Sequence, residues 1–313
     1  MDNTRIDLHM HYLPPAYYEL LARHKMTSLD GGMRVPEWSR DFHLDYMEQL
    51  GISYTLTHIS SPHVHMGDKA EAIETARACN EQGAEFMRDY PDKIGIAASL
   101  PIPEIEESIE EIRYCREELG INAFAFITNS LGVYLGDPRL DPVFEEINKR
   151  PTIVTMHPTA PSAIPDGIDK RLVYPAMEFF FDTTRAVANM VLNNTINKFP
   201  NVRFIVPHAG AYVPILSDRL YSIVRDVIKD PSIDVYRDLG KLYYDLAGMS
   251  MPKQLGVLRL LVDDEHIVYG SDGGFSRVPL SSMLKKEMDE KLTPDLQELY
   301  YRQNPKKLLE ECR

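Results

Sequence analysis

Eight short apolar runs punctuate this chain, at 5–11, 53–60, 93–100, 123–129, 152–157, 203–208, 242–246 and 267–272, and segments of helical spacing separate them. Runs this short, rich in β-branched and aromatic residues, read as strands. A helix between successive strands returns the chain to the same end, so neighbouring strands pair in parallel. The segment 104–119, EIEESIEEIRYCREEL, typifies the helices. Ile105, Ile109, Ile112 and Leu119 make one apolar stripe, glutamates fill the opposite face, and Pro103 and Gly120 stand as start and stop marks. Further helices are expected over 68–89, 137–150, 182–199, 213–229, 252–262 and 294–311. Eight such units in 313 residues predict an α/β fold, a (β/α)8 TIM barrel. An open doubly wound sheet is disfavoured because no GxGxxG follows the first strand. No Pro/Gly/Ser-rich linker divides the chain, so residues 1–313 read as one domain.

Two connections exceed ordinary turns, 12–41 after the first strand and 158–181 after the fifth. Both leave the C-terminal ends of strands, the face on which barrels carry their chemistry. The second, rich in proline and aromatics, reads as a stiff apolar wall over a pocket. Charged residues make up 26% of the chain and the formal charge is −13. That balance argues against nucleic acid or an anionic membrane as a partner. Cys79, Cys115 and Cys312 are widely spaced and form no CxxC motif. With no secretory pattern at the start and no membrane-length apolar run, a cytoplasmic protein is expected.

The strand ends carry the chemistry. The first run ends in IDLHMH, and in a strand residues two apart face the same way. His9 and His11 should therefore stand side by side, with Asp7 one step lower on the same face. The fifth run, TIVTMH, ends in His157; the sixth, RFIVPH, in His208; the eighth, IVYGSD, in Asp272. A closed barrel gathers these ends around one mouth, which makes a metal site the natural reading of the five together.

In order, DLHMH, MHP, PHAGAYVP and YGSD resemble the amidohydrolase superfamily. More narrowly, they resemble its metal-dependent decarboxylases, the branch of aminocarboxymuconate semialdehyde, 6-methylsalicylate and γ-resorcylate decarboxylases. SSPHVHMGD, YLGDPRLDPVFEEIN and FFFDTTRAV look most like the 6-methylsalicylate members. The resemblance runs from Ile6 to about Asp272.

It implies that His9, His11, His157 and Asp272 hold one divalent ion. Zinc or manganese come first, and iron or cobalt also suit three histidines and an aspartate. His208 is expected beside the ion as general acid/base, and Asp272 as the proton carrier to the carbon that loses CO2. The fourth run, AFAFITN, offers no lysine to bridge a second metal. The branch also carries an arginine eleven residues after the sixth-strand histidine that reaches into the neighbouring subunit's site; Arg219 holds that position. A homodimer or larger homo-oligomer follows. His65, in the loop after the second strand, is a further candidate for substrate contact. Many relatives carry an aromatic and a proline after the aspartate, whereas this chain has Gly273 and Gly274, so a wider or more mobile pocket floor is expected. The implied reaction is non-oxidative decarboxylation of a small aromatic or muconate-type acid, such as an ortho-hydroxybenzoate resembling 6-methylsalicylate. The alternative on the same residues is hydrolysis of a small ester, lactone or amide.

Overall fold

The computed structural model describes residues 4–165, 167, 169, 171–275 and 278–312. Parallel strands run in the order β1 (Arg5–His11), β2 (Ile52–His58), β3 (Ile94–Ile96, resuming after Ala97 as Ala98–Ser99), β4 (Ala123–Ile127), β5 (Thr152–His157), β6 (Val202–Val206), β7 (Tyr243–Asp245) and β8 (Ile267–Val268). Each pairs with its sequence neighbours. The ring closes between the last strand and the first: Leu8 N–H donates to Tyr269 O at 3.0 Å, Asp272 N–H to His9 O at 2.9 Å, and His11 N–H to Gly273 O at 2.8 Å. This is the predicted (β/α)8 barrel. Its interior packs Leu8, Leu56, Ala125, Ile153, Ile205 and Val268, with Leu308 of the last helix in the same cluster.

Two features bear on the site. Strand β1 slips register between Asp7, paired with Thr55, and Met10, paired with Thr57. Three residues thus span what two span on β2, a bulge. Leu8 joins the barrel interior while Met10 packs in the outer layer between sheet and helices. Asp7 therefore does not share the face of His9 and His11, contrary to the simple alternation. It accepts hydrogen bonds from the N–H groups of His9 (2.9 Å) and Ser271 (3.2 Å). Burial raises its pKa to about 7.

The stretch after β1 is also less of a loop than expected. It contains a helix, Pro15–Arg23, which buries Ala16, Tyr17, Leu20 and Leu21. Proline at its first position removes an N–H that would have no partner there. A second helix, Arg40–Leu50, follows and is capped by Ser39. Toward the end of the chain lies a helix at Val278–Lys291 that the sequence pattern does not reveal, and the expected helix 294–311 runs unbroken, widening to a π turn over Leu299–Gln303. The expected stop at Gly120 is made with φ +69°, a conformation glycine adopts without strain. Trp38 packs near Tyr12 and Phe86, and its ring N–H donates to His43 Nδ1 at 3.2 Å.

Candidate metal centre and pocket

The C-terminal mouth of the barrel brings His9, His11, His157 and Asp272 together, with one ligand atom from each lying within 4.8 Å of the others. Each imidazole is oriented by an acceptor behind it. His9 Nδ1 lies 2.8 Å from Asp245 Oδ2, His11 Nδ1 3.2 Å from His58 O, and His157 Nδ1 2.7 Å from Pro158 O. A carbonyl oxygen can only accept, so Nδ1 of His11 and of His157 carries the proton and Nε2 keeps its lone pair. All three rings thereby direct Nε2 toward Asp272 or its surroundings: His11 Nε2 is 3.2 Å and His9 Nε2 3.6 Å from Asp272 Oδ1. His9 Nε2 is buried and has no hydrogen-bond partner. A nitrogen so placed suits a cation, and the donor set fits one divalent ion. The three histidines are almost fully buried, while the Asp272 side chain keeps 23% of its surface exposed toward the pocket mouth.

Asp245, which ends the YYD of β7, is a site residue that the sequence pattern alone does not single out. One carboxylate serves three residues. Oδ2 holds His9, and Oδ1 accepts from the His208 N–H at 3.0 Å and the Ala247 N–H at 3.0 Å. His208 and Asp272 both adopt left-handed backbone conformations, φ +55° and +57°. Such strain outside glycine collects at functional sites. The His208 ring centroid is 5.1 Å from that of His9, with Phe180 stacked on it at 5.8 Å.

The electrostatics divide the cluster. Burial alone would depress the His9 pKa, but Asp245, with Asp272 and Asp7, outweighs it and raises the value to about 9. Burial depresses His11, His157 and His208, helped by neighbouring imidazoles. Burial would raise Asp272, yet the facing His11 ring and the nearby His9 and His208 hold it at about 2. A cation taking His9 Nε2 must displace a proton below pH 9. Metal affinity of chelator-treated protein should accordingly rise about tenfold per pH unit between 7 and 9. Asp245→Asn should flatten that slope and, at pH 9, weaken binding about 10- to 100-fold. Competition against a fluorescent chelator reads both.

Beside this cluster lies a cavity of about 630 Å³ counting its open mouth, lined by His157, His208 and Asp272 at one end. Leu29, Met33, Pro175, Phe179, Phe275 and Leu280 supply apolar walls. Pro175 and Phe179 belong to the long connection after β5, which forms the expected wall. Gly273 and Gly274 do not widen the floor as expected. A Cβ on Gly273 would meet Tyr46 at 2.6 Å, Gly274 lies against His11 O, and the Phe275 ring sits 4.9 Å from His11.

Two predicted site residues lie apart from this cluster. His65 does not line the pocket: its Nε2 faces Glu104 at 3.4 Å and its Nδ1 accepts from the Gly67 N–H at 3.1 Å. The loop after β2 instead contributes Ser60 and Ser61. Arg219 is exposed on the helix Val213–Ile223 and lines a separate, largely apolar groove with Val187, Leu216, Leu220 and Ile223. His58, left without a role in the sequence, is fully buried with its ring 4.7 Å from that of His11.

A family model described as Amidohydrolase matches residues 6–310. The decarboxylase yanB of Aspergillus niger is 30% identical over 90% of this chain and 79% of its own length. The 6-methylsalicylic acid decarboxylase acuB of Aspergillus aculeatus is 27% identical over 90% of this chain and 87% of its own. A crystal structure described as amidohydrolase II superposes with a TM-score of 0.94 at 36% identity, covering 98% of this chain and all of that one.

Proposed function

This chain belongs to the amidohydrolase family, and we propose that it is a single-domain, metal-dependent, non-oxidative decarboxylase of a small ortho-hydroxybenzoate. The observation that carries the reading is the convergence of three Nδ1-anchored imidazoles and one carboxylate at the mouth of a small, mostly apolar pocket. Its relatives among 6-methylsalicylic acid decarboxylases supply the reaction class. His9, His11, His157 and Asp272 would hold the ion, with zinc or manganese best suited. When bound, it supplies positive charge that steadies a phenolate and a carboxylate together.

The chain's own residues do the rest. The apolar walls seat the ring and keep bulk water from it. Asp272, at the boundary between ligand cluster and pocket, delivers a proton to the ring carbon bearing the carboxylate. The carbon–carboxylate bond breaks, CO2 leaves, and the electron pair returns to the ring. Its low pKa means that Asp272 takes up its proton within the complex, where an anionic ring raises it. His208, neutral at pH 7 because burial depresses it, relays that proton from solvent. Turnover in D2O followed by NMR tests the reading. A phenol carrying one deuterium at the former carboxyl position is expected; an intact carboxylate with a cleaved ester, lactone or amide would replace it with hydrolysis.

Arg219 points to the assembly. The helix Val213–Ile223 and its extension Val224–Ile228 expose Ile215 (63%), Val227 (68%), Leu216 and Ile223 around it. An apolar face of this kind suits a symmetric contact with a second copy. In such a dimer Arg219 would reach the partner's pocket and meet the substrate carboxylate. Leu216→Glu should give monomers by light scattering, and Arg219→Ala should raise KM about 10- to 100-fold with the dimer intact. A dimeric Leu216→Glu protein of normal KM would contradict this. Three buried, unpaired cysteines suit a reducing compartment such as the cytoplasm.

A further inference from the structure

The cavity beside the ligand cluster is polar at one end and apolar along the rest. His157, His208 and Asp272 mark the polar end. The Ser60 hydroxyl belongs with them, 3.2 Å from His157 Nε2. The other polar side chains of the lining, Asp30 and Ser61, are engaged within the fold. Asp30 Oδ2 accepts from Ser61 Oγ (2.6 Å), Thr159 Oγ1 (2.7 Å) and the Ala160 N–H (2.9 Å), and Asp30 Oδ1 is buried. The remaining side chains of the lining are Leu29, Met33, Pro175, Phe179, Phe275 and Leu280.

This apolar lining continues past the rim. Met33 keeps 40% of its surface exposed and Leu280 43%, although both line the cavity. Side chains that do both stand at its mouth. Leu172 and Val173 are exposed as well, and Val173 lies alongside: a Cβ on Gly32 would meet its Cγ1 at 3.7 Å. Large apolar side chains exposed singly are ordinary. Several gathered at the mouth of an apolar pocket mark a surface that a guest covers.

An ortho-hydroxybenzoate has its carboxylate on C1 and its hydroxyl on C2, and both face the polar end. The far edge of the ring, C4 and C5, then faces the mouth. Among the described residues no free polar side chain lines that side, so a polar group placed there gives up water without a replacement. The cavity, about 630 Å³ with its mouth counted, is of a size that takes guests larger than a single-ring acid. From this we infer that the substrate carries an alkyl chain longer than methyl on C4 or C5, lying against Met33 and Leu280 at the mouth. The inference rests on the decarboxylase reading of the pocket and names the substrate class for it. The same wall selects against a second hydroxyl or carboxylate on that edge, because it offers such a group no partner.

The test uses unreactive product-like phenols, so it reads the wall without turnover. A chain on C4 leaves a 3-alkylphenol and a chain on C5 a 4-alkylphenol. Both series, from methyl to pentyl, are titrated calorimetrically into manganese-loaded protein. In at least one series affinity should rise about two- to fourfold per methylene, so that the pentyl member binds about 15-fold or more tightly than the methyl member. The double variant Met33→Glu, Leu280→Glu changes two exposed side chains and should melt close to the wild-type temperature. It should cut that ratio about fivefold or more, because a chain laid against carboxylates strips them of water. Affinity that is flat or falls beyond methyl in both series, or a ratio unmoved in the folded double variant, overturns the inference. The two readings fail separately. CO2 release from a hydroxybenzoate with a flat binding series sinks the alkyl chain alone; a rising series without CO2 release from any hydroxybenzoate, alkylated ones included, sinks decarboxylation and leaves the pocket a site for alkylated rings.

Discussion

Asp272→Asn should abolish turnover, lowering kcat by about 10³-fold or more, while the protein melts close to the wild-type temperature. The backbone at this position is left-handed, φ +57°, and asparagine tolerates that conformation as aspartate does. Its side chain has the same shape, so the contact with His11 Nε2, 3.2 Å away, can survive as a neutral hydrogen bond. Two properties are lost. The amide brings no negative charge to the cluster, so the metal is held more weakly, and it cannot carry a proton to the ring carbon. Saturating the variant with manganese separates the losses: metal content recovers and turnover does not. Near-normal rates in a folded, metal-loaded variant would remove Asp272 from the chemistry.

His208→Asn should lower kcat by about 10²- to 10⁴-fold with metal content unchanged. His208 lies outside the group of four whose ligand atoms converge, and its N–H, not its ring, is what Asp245 holds. Removing the imidazole therefore leaves His9 anchored. Asparagine is the better replacement, because φ here is +55° and alanine in that region costs roughly 1–2 kcal/mol. Lost turnover with retained metal is the signature of a proton-relay residue. Loss of metal together with turnover would make His208 a ligand, and unchanged turnover would make it structural.

Much of this site was legible because barrels convert strand ends into neighbours. His157, His208 and Asp272 are scattered through the sequence, yet the first ends β5 and the others follow directly on β6 and β8, and parallel strands place their ends on one face. The period-two rule also set His9 and His11 together correctly. It failed one step lower, at Asp7, because a bulge at Leu8 and His9 is set by pairing with β2 and leaves no mark in a hydrophobic pattern. Asp245 was missed for a different reason. A lone buried carboxylate on a strand reads as a structural polar group until its distance to His9 is known. His65 failed the other way: HVH imitates the first motif, but the loop after β2 turns its ring to Glu104, and loop direction depends on contacts far along the chain.

The central claim, that this barrel removes a carboxylate from a hydroxylated ring, is tested most directly by CO2 release. Manganese- or zinc-loaded protein is incubated with a panel of ortho-hydroxybenzoates, 6-methylsalicylate and dihydroxybenzoates among them. The account predicts CO2 and the matching phenol in equal amounts from at least one of them, lost on chelation and lost in His208→Asn. Folded, metal-loaded protein that releases no CO2 from any of the panel, yet cleaves a lactone or ester, would contradict it.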